Sequence, residues 1–121
     1  MRAHTAFSAL RRTCAAAMLA LPALALAAYP EKPITIIVPF AAGGPTDVLT
    51  RVIAERMARE LAQPMIVENT PGAGGTVGNA RAARAKPDGY TVLAGNVGTL
   101  AASNSFYRKL PYDMHKDFVG I

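Results

Sequence analysis

The 121-residue chain contains one cysteine and two histidines, and charged residues make up only 17% of it. A single cysteine excludes a disulfide framework and any zinc or iron–sulfur site built from several cysteines. Neither histidine has a neighbour at the spacing of metal ligands. The hydrophobic share of 51% is too high for a disordered chain, because such chains bury too little apolar surface to offset their conformational entropy. The length allows one domain, so the composition indicates a single globular unit.

The first 28 residues have the three parts of a secretory signal peptide. The charged side chains among them are all basic: Arg2, Arg11 and Arg12. An apolar run follows over residues 13–28, and it is shorter than the ~20 residues that span a bilayer, which disfavours a membrane anchor. Ala25 and Ala27 stand at the A-x-A spacing of a cleavage site. We therefore expect residues 1–27 to be removed on export, with cleavage after Ala28 as the alternative.

The positive charge of the chain belongs mostly to this leader. Without its three arginines, ten of the 13 basic residues remain against 8 acidic ones, so the net charge falls from +5 to about +2. The remaining chain has no cluster of Lys and Arg with interleaved aromatic residues, which is the pattern typical of nucleic-acid binders. Nucleic acid is therefore not a predicted partner.

Strand-like and helix-like patterns alternate along the rest of the chain. The β-branched run over residues 34–40 has almost no polar alternation, which is typical of a strand buried on both faces in a parallel sheet. Further strands are predicted over residues 64–69 and 90–94, and helices over 46–62, 76–85 and 100–107. This order requires parallel pairing with right-handed crossovers, and so predicts an open three-layer α/β sheet with mainly parallel strands. A fourth strand is predicted to begin at residues 118–121.

The helix predicted over residues 46–62 is amphipathic. Its large apolar side chains recur at helical spacing and share one face, which we expect to pack on the sheet. These residues are Leu49, Val52, Ile53, Met57 and Leu61.

Glycine-rich loops follow all three predicted strands, over residues 41–47, 72–76 and 95–99. The carboxyl ends of parallel strands meet at one edge of the sheet, where ligands gather. Helix N-termini at that edge present unpaired N–H groups and partial positive charge, which suits an anion, and none of the loops contains Lys or Arg. The same residues equally suit a structural role: the glycines as turns, Thr46, Asn96 and Thr99 as helix caps, and Asp47 as a first-turn carboxylate.

A dinucleotide-binding oxidoreductase is the rival prediction. Gly72, Gly74 and Gly78 form G-x-G-x-x-x-G between a predicted strand and a helix, close to the dinucleotide fingerprint. Val77 occupies the third-glycine position, and Asp88, the acidic residue at about the expected distance, precedes the third strand. Neither a Walker A nor a G-x-S-x-G motif is present, and no Ser/His/Asp or paired-carboxylate set can be assembled. An enzyme is therefore not the preferred prediction.

Three stretches of the sequence resemble one known family: YPEKPITIIVPFAAGGPTD, VENTPGAGGTVGNARAARAKPDGYTVLAG and YRKLPYDMHKDF. They are similar to the substrate-binding proteins of tripartite tricarboxylate transporters, the Bug family of the bacterial periplasm. The resemblance runs from residue 29 to residue 121. It implies a monomeric, periplasmic-binding-protein-like fold of two lobes that closes over a small di- or tricarboxylate or related acid. It implies delivery of that acid to membrane subunits, with no cofactor or metal.

The resemblance also implies that ligand contacts come from the three strand-end loops. The residues expected there are Phe40, Ala41, Gly43, Gly44, Thr46, Asp47, Gly74, Gly75, Asn96, Val97, Gly98 and Thr99. Family members continue well beyond this length, so residues 28–121 are expected to form only the first lobe, truncated before the second. A single lobe would give the binding cleft one wall, so the fragment alone is expected to capture ligand poorly.

Overall fold

The computed structural model describes residues 29–121, so the predicted signal peptide and its cleavage site lie outside the described residues. The strands are β1 (Ile34–Val38), β2 (Met65–Asn69) and β3 (Thr91–Leu93). The helices are α1 (Pro45–Leu61), α2 (Thr76–Ala83) and α3 (Ser103–Phe106). A 3₁₀ turn at Ala73–Gly75 leads into α2, and a π-helical turn at Gly98–Ala102 leads into α3. Across residues 29–121, every helix falls short of the length or hydropathy that a bilayer span requires.

The central strand of the sheet is β1, which pairs in parallel with β2 on one side and β3 on the other. Ile36 is aligned with Val67 of β2 and with Val92 of β3. Helix α1 contacts β1 and β2, whereas α2 contacts β1 and β3. Because parallel crossovers are right-handed, the two helices cover opposite faces of the sheet. The predicted open three-layer α/β architecture with parallel strands is confirmed.

The hydrophobic core is built on β1. Ile34, Ile36, Ile37 and Val38 are each 4% exposed or less. Successive strand residues point to opposite faces, so burial of neighbouring residues means that both faces of β1 are covered. The strand ends at Val38, two residues earlier than predicted, because Pro39 has no N–H to continue the ladder.

Helix α1 has clear signals at both ends. It begins at Pro45 after the N-cap residue Gly44, and the fixed φ of proline suits the first helical position. It ends at Leu61, beyond which Ala62 has a left-handed φ of 51°. Pro64 then prevents the helix from resuming, and β2 follows at once.

The face that α1 buries differs from the predicted one. Its buried residues are Asp47, Thr50 and Ala54. The large apolar side chains of Leu49, Val52 and Ile53 are 62%, 63% and 49% exposed. The expectation that these three pack on the sheet is wrong. Small side chains line the buried stripe, so the helix backbone approaches the sheet closely and the bulkier stripe is turned outward.

The fourth strand, predicted to begin at residues 118–121, is also absent from the described part of the chain. The Phe118 ring packs edge-on against Tyr112, with centroids 5.9 Å apart. Val119 and Ile121 are 88% and 98% exposed. An apolar run forms a strand only where a neighbouring strand offers hydrogen bonds, and this run contacts an aromatic side chain instead.

Candidate functional site

A concave pocket lies at the carboxyl ends of the strands. The chain leaves β1 towards β2 in one direction and later reaches β3 on the other side of β1, so the crevice between the ends of β1 and β3 is the topological switch point where such sheets bind ligands. The pocket has a volume of about 320 Å³. Its lining residues are Phe40, Gly74, Asn96, Gly98, Thr99, Ser103, Phe106 and Tyr107.

All three predicted loops contribute to this pocket. Five of the twelve candidate residues line it: Phe40 after β1, Gly74 after β2, and Asn96, Gly98 and Thr99 after β3. Gly75 lies directly behind the lining, against Thr99. The candidates outside the lining are Ala41, Gly43, Gly44, Thr46 and Asp47 of the first loop and Val97 of the third. The segments that follow the three strands therefore converge, although after β1 only Phe40 lines the pocket and residues 41–47 do not.

Three lining residues were missing from the sequence-based candidates: Ser103, Phe106 and Tyr107. The predicted helix began at Leu100, whereas the helical turn begins two residues earlier, at Gly98. With that start, Thr99, Ser103 and Phe106 are spaced four and three residues apart and share one helix face. The sequence signal that could have identified Ser103 and Phe106 is this helical spacing from Thr99.

The first loop is fixed by the carboxylate of Asp47. Its Oδ2 accepts hydrogen bonds from Arg51 Nε at 3.0 Å and from the Gly43 amide at 2.8 Å, and its Oδ1 accepts from Asn69 Nδ2 at 2.9 Å. These donors, led by Arg51, lower the pKa of Asp47 from 3.8 to about 2. Asn69 Nδ2 also donates to the Phe40 carbonyl at 3.1 Å. Asp47 therefore acts in the structure as an internal acceptor that ties the loop to β2.

The N-terminus of α1 keeps free donor capacity. Its cap residue, Gly44, makes no side-chain hydrogen bond to the first turn, and Pro45 has no N–H to offer. The Val48 amide donates to Gly44 O at 3.0 Å, which is the first bond of the helix. The amides of Thr46 and Asp47 have no acceptor within the helix, and they stand at the positive end of the helix dipole.

Several other loop amides already have acceptors inside the protein. The Gly75 amide donates to Gly72 O at 2.9 Å. In the third loop, the Thr99 amide donates to Asn96 Oδ1 at 3.0 Å, and the Asn96 amide donates to Thr99 Oγ1 at 3.3 Å. A donor used internally is not available to a ligand, so fewer main-chain amides can bind an anion than the sequence predicts.

The second and third loops are in direct contact behind the pocket. Gly75 has a φ of 93°, and a Cβ built on it would lie 2.5 Å from Thr99 Cγ2, so only glycine allows this approach. At the mouth, the Tyr107 hydroxyl donates to the Ala73 carbonyl at 3.0 Å. Gly74 also has a positive φ of 62°, and a Cβ there would lie 3.0 Å from Tyr107 Oη.

No charged side chain lines this pocket. The lining combines aromatic rings with the polar groups of Asn96, Thr99 and Ser103. Asn96 Oδ1 is used by Thr99, so Nδ2 is the donor that Asn96 retains. Within residues 29–121, no group of three or more His, Cys, Asp or Glu side chains is placed to hold a metal ion. The site therefore suits a small polar or anionic molecule held by neutral donors.

Comparison with known proteins gives one consistent family. Residues 49–121 match the family described as "Tripartite tricarboxylate transporter family receptor". Protein BugT of Bordetella pertussis is 42% identical to the chain over 94 residues, an alignment that covers 77% of this chain and 29% of BugT. The chain spans between 25% and 36% of the length of the curated relatives that it matches.

Solved structures agree with the sequence comparison. MatC from Rhodopseudomonas palustris, solved with bound malate, is 47% identical with a TM-score of 0.71, and the match covers 74% of this chain and 31% of MatC. Another R. palustris protein, solved with adipate, is 34% identical with a TM-score of 0.70, and the match covers 73% of this chain and 29% of that protein.

Proposed function

Since this chain belongs to the tripartite tricarboxylate transporter receptor family, we propose that it supplies the first lobe of a periplasmic solute-binding protein. Its pocket would receive one carboxylate of a small organic acid. The observation that carries the proposal is the convergence of three strand-end loops on one neutral concave site. Malate and adipate, which relatives of solved structure hold, define the proposed class of ligand.

The chemistry of the pocket supports a carboxylate. No charged side chain lines it, and the nearby carboxylate of Asp47 is already paired with Arg51, so an incoming anion meets little like charge. Asn96 Nδ2 offers a donor within the lining. The first turn of α1 lies outside the lining, but it adds the positive end of a helix dipole at the same edge of the sheet.

The volume of the pocket, about 320 Å³, is at the low end for small-molecule sites, which run from ~300 to ~1,000 Å³. Such sites bury ~70–90% of a ligand, and we propose that the remainder of the ligand is covered by a second lobe of the kind that the longer relatives have room for. The working step is then closure: the ligand prefers the closed form and shifts the open–closed equilibrium towards it. The closed protein would deliver its acid to membrane subunits, acting as a monomer and without a catalytic step.

The dinucleotide alternative receives no support from the glycines that suggested it. A Cβ on Gly78 would lie 2.8 Å from Pro39 Cα and from Thr70 O, so this glycine is accounted for by close packing of α2 against the end of β1. Gly72 and Gly74 have positive φ values of 134° and 62°, so the conformation of the loop accounts for both. We expect no saturable quenching of NADH fluorescence by the purified chain.

The proposal is tested by ligand-dependent melting of the purified chain with malate and adipate. At a ligand concentration ten times Kd, binding to the folded state adds about 1.4 kcal/mol of stability, which for a domain of this size raises Tm by about 6–11 °C. Because a single lobe is expected to bind weakly, each acid is titrated up to the highest concentration at which a neutral analogue leaves Tm unchanged. An unchanged Tm for both acids over that whole range would contradict the proposal.

A matched pair of variants locates the effect. Gly74→Asn puts a side chain at the pocket lining, whereas Gly43→Asn places the same side chain where a Cβ meets nothing within 4 Å. Asparagine tolerates the positive φ at both positions. Loss of the malate-dependent shift in Gly74→Asn, with the shift retained in Gly43→Asn, is the expected result. Equal loss in both variants would place binding elsewhere.

A further inference from the structure

The main-chain carbonyl of Thr99 accepts hydrogen bonds from three side chains. The donors are Asn79 Nδ2 at 2.8 Å, Ser103 Oγ at 2.9 Å and Tyr112 Oη at 3.4 Å. Asn79 Nδ2 also donates to Tyr112 Oη at 3.1 Å. All four residues are buried, with 0% exposure for Asn79 and 8% for Tyr112. The accepting carbonyl lies in the π-helical turn Gly98–Ala102, whose residues Gly98 and Thr99 line the pocket.

The three donors come from separate parts of the chain. Asn79 is in α2, Ser103 begins α3, and Tyr112 belongs to the segment that follows α3. The Tyr112 ring is held in turn by the edge-on contact with Phe118. One carbonyl oxygen thus joins α2 and the 110–118 segment to the wall of the pocket.

The buried position of Asn79 has an energetic cost. Its Oδ1 is buried and has no hydrogen-bond partner among the described residues, and an unpaired buried acceptor is destabilising. An apolar side chain of similar size would avoid that penalty. The feature that an apolar residue would lack is the donor Nδ2, which reaches both Thr99 O and Tyr112 Oη.

Movement of Thr99 would be transmitted directly to the pocket lining. The amide and hydroxyl of Thr99 are both hydrogen-bonded to Asn96, and Asn96, Gly98 and Thr99 all line the pocket. The group that sets the position of the Thr99 carbonyl therefore also sets where the Asn96 side chain stands.

We propose that Asn79 and Tyr112 are positioning residues of this pocket: they hold the Thr99 carbonyl and so fix the Asn96–Thr99 loop in its ligand-accepting conformation. As far as affinity is concerned, the proposal rests on the proposed function. Neither residue lines the pocket, so neither is a ligand contact, and their effect reaches the ligand only through the loop.

The decisive variant is Tyr112→Phe, which deletes the hydroxyl and keeps the ring against Phe118. Its matched control is Tyr29→Phe, which deletes a hydroxyl that donates to the Gly89 carbonyl at 2.7 Å, before β3 and so at the opposite end of the sheet. In NMR spectra of the ligand-free chain, we expect the ¹H–¹⁵N amide chemical shifts of residues 96–100 to change in Tyr112→Phe and to stay unchanged in Tyr29→Phe. A role in stability alone would lower Tm in both variants without this local change.

Affinity gives the second readout. Deletion of the Tyr112 hydroxyl removes two hydrogen bonds, of which the one to Thr99 O acts on the loop directly. With malate as the probe, loss of that neutral bond is expected to weaken Kd by about twofold to tenfold in Tyr112→Phe, with no change in Tyr29→Phe. Asn79→Ala is expected to act on the same loop, so its effect and that of Tyr112→Phe should be less than additive in the double variant, as for residues that share a partner.

The outcomes separate the two proposals. If the amide chemical shifts of residues 96–100 are the same in Tyr112→Phe as in the unaltered chain, the positioning role is overturned, whatever the affinity. If the unaltered chain binds no malate, the proposed function fails, and the amide comparison still decides whether Asn79 and Tyr112 position the loop.

Discussion

Three glycines in the segments after β1 and β2 separate two energetic costs of alanine substitution, backbone strain and steric overlap, that usually occur together. Gly43 has a φ of 81° and open space where a Cβ would be, so Gly43→Ala meets only backbone strain. Gly78 lies in α2 without a positive φ, but its Cβ would stand 2.8 Å from Pro39 Cα and Thr70 O. Gly75 combines a φ of 93° with a Cβ 2.5 Å from Thr99 Cγ2.

The magnitudes follow from these differences. A left-handed conformation costs a non-glycine residue about 1–2 kcal/mol, which is the expected loss for Gly43→Ala. Overpacking costs about 1–3 kcal/mol; for Gly78→Ala the higher helix propensity of alanine, about 1 kcal/mol, offsets part of it. Gly75→Ala incurs both strain and overpacking, so we expect a loss of about 2–5 kcal/mol.

Urea unfolding of the three variants at pH 7 gives the comparison, with the slope m checked so that the change in midpoint reports stability. For a domain of this size, each kcal/mol of stability lost lowers Tm by roughly 4–8 °C. If Gly75→Ala loses no more stability than Gly43→Ala, the contact with Thr99 carries no cost and the expected order of the variants is wrong.

Two further predictions concern α1. The pKa of Asp47 is lowered from 3.8 to about 2 by hydrogen bonds led by Arg51, so the unfolded chain binds its proton more readily. Its stabilising contribution is therefore complete above about pH 4 and is lost as the pH falls towards 2. Asp47→Asn should lower the urea midpoint at pH 7 and flatten its dependence between pH 4 and 2; an unchanged acid dependence would contradict this. Separately, Leu49 is 62% exposed, so Leu49→Ser should change stability by no more than about 0.5 kcal/mol. Ala54 is only 4% exposed, so Ala54→Leu should lower the free energy of unfolding by about 1–3 kcal/mol. A larger loss in Leu49→Ser than in Ala54→Leu would contradict the observed orientation of the helix.

The sheet was predictable because its signals are local. The β-branched run at β1 and the glycine-rich loops that end the strands identify a parallel strand, whatever the rest of the chain does. The convergence of the loops then follows from topology, since parallel strands share their carboxyl edge. Boundaries shifted by two residues or fewer at the strand ends, where Pro39 and Pro64 interrupt pairing.

The orientation of α1 was not predictable from hydrophobic spacing. The pattern favours the stripe with Leu49 and Val52, because large apolar side chains weigh most in it. The observed helix instead buries Thr50 and Ala54, whose small side chains permit close approach to the sheet. Which stripe faces inward depends on the space available above β1 and β2, and that space is set by residues distant in sequence.

The internal use of Asp47 also depends on long-range partners. Sequence reasoning treats it either as a first-turn carboxylate or as a ligand contact, and the partner that favours the internal role is Asn69, 22 residues away. The network on the Thr99 carbonyl is similar, because Tyr112 meets Asn79 across 33 residues. Such polar contacts leave no periodic signal, since one amide and one hydroxyl suffice.

The hydrogen bonds within the loops change which groups are expected to bind the ligand. For the amides of Gly43, Gly75 and Thr99 to donate to an anion, each would first have to release an internal acceptor, and an unmade hydrogen bond in a buried position costs about 1–3 kcal/mol. The donors that carry no such cost are Asn96 Nδ2 in the lining and, beyond the lining, the first-turn amides of α1. A carboxylate has about four acceptor positions, more than these few donors supply. On the proposed function, water or a second lobe would therefore have to complete its coordination. The described residues would then hold one end of the acid, and selection among acids would fall to the rest of the cleft.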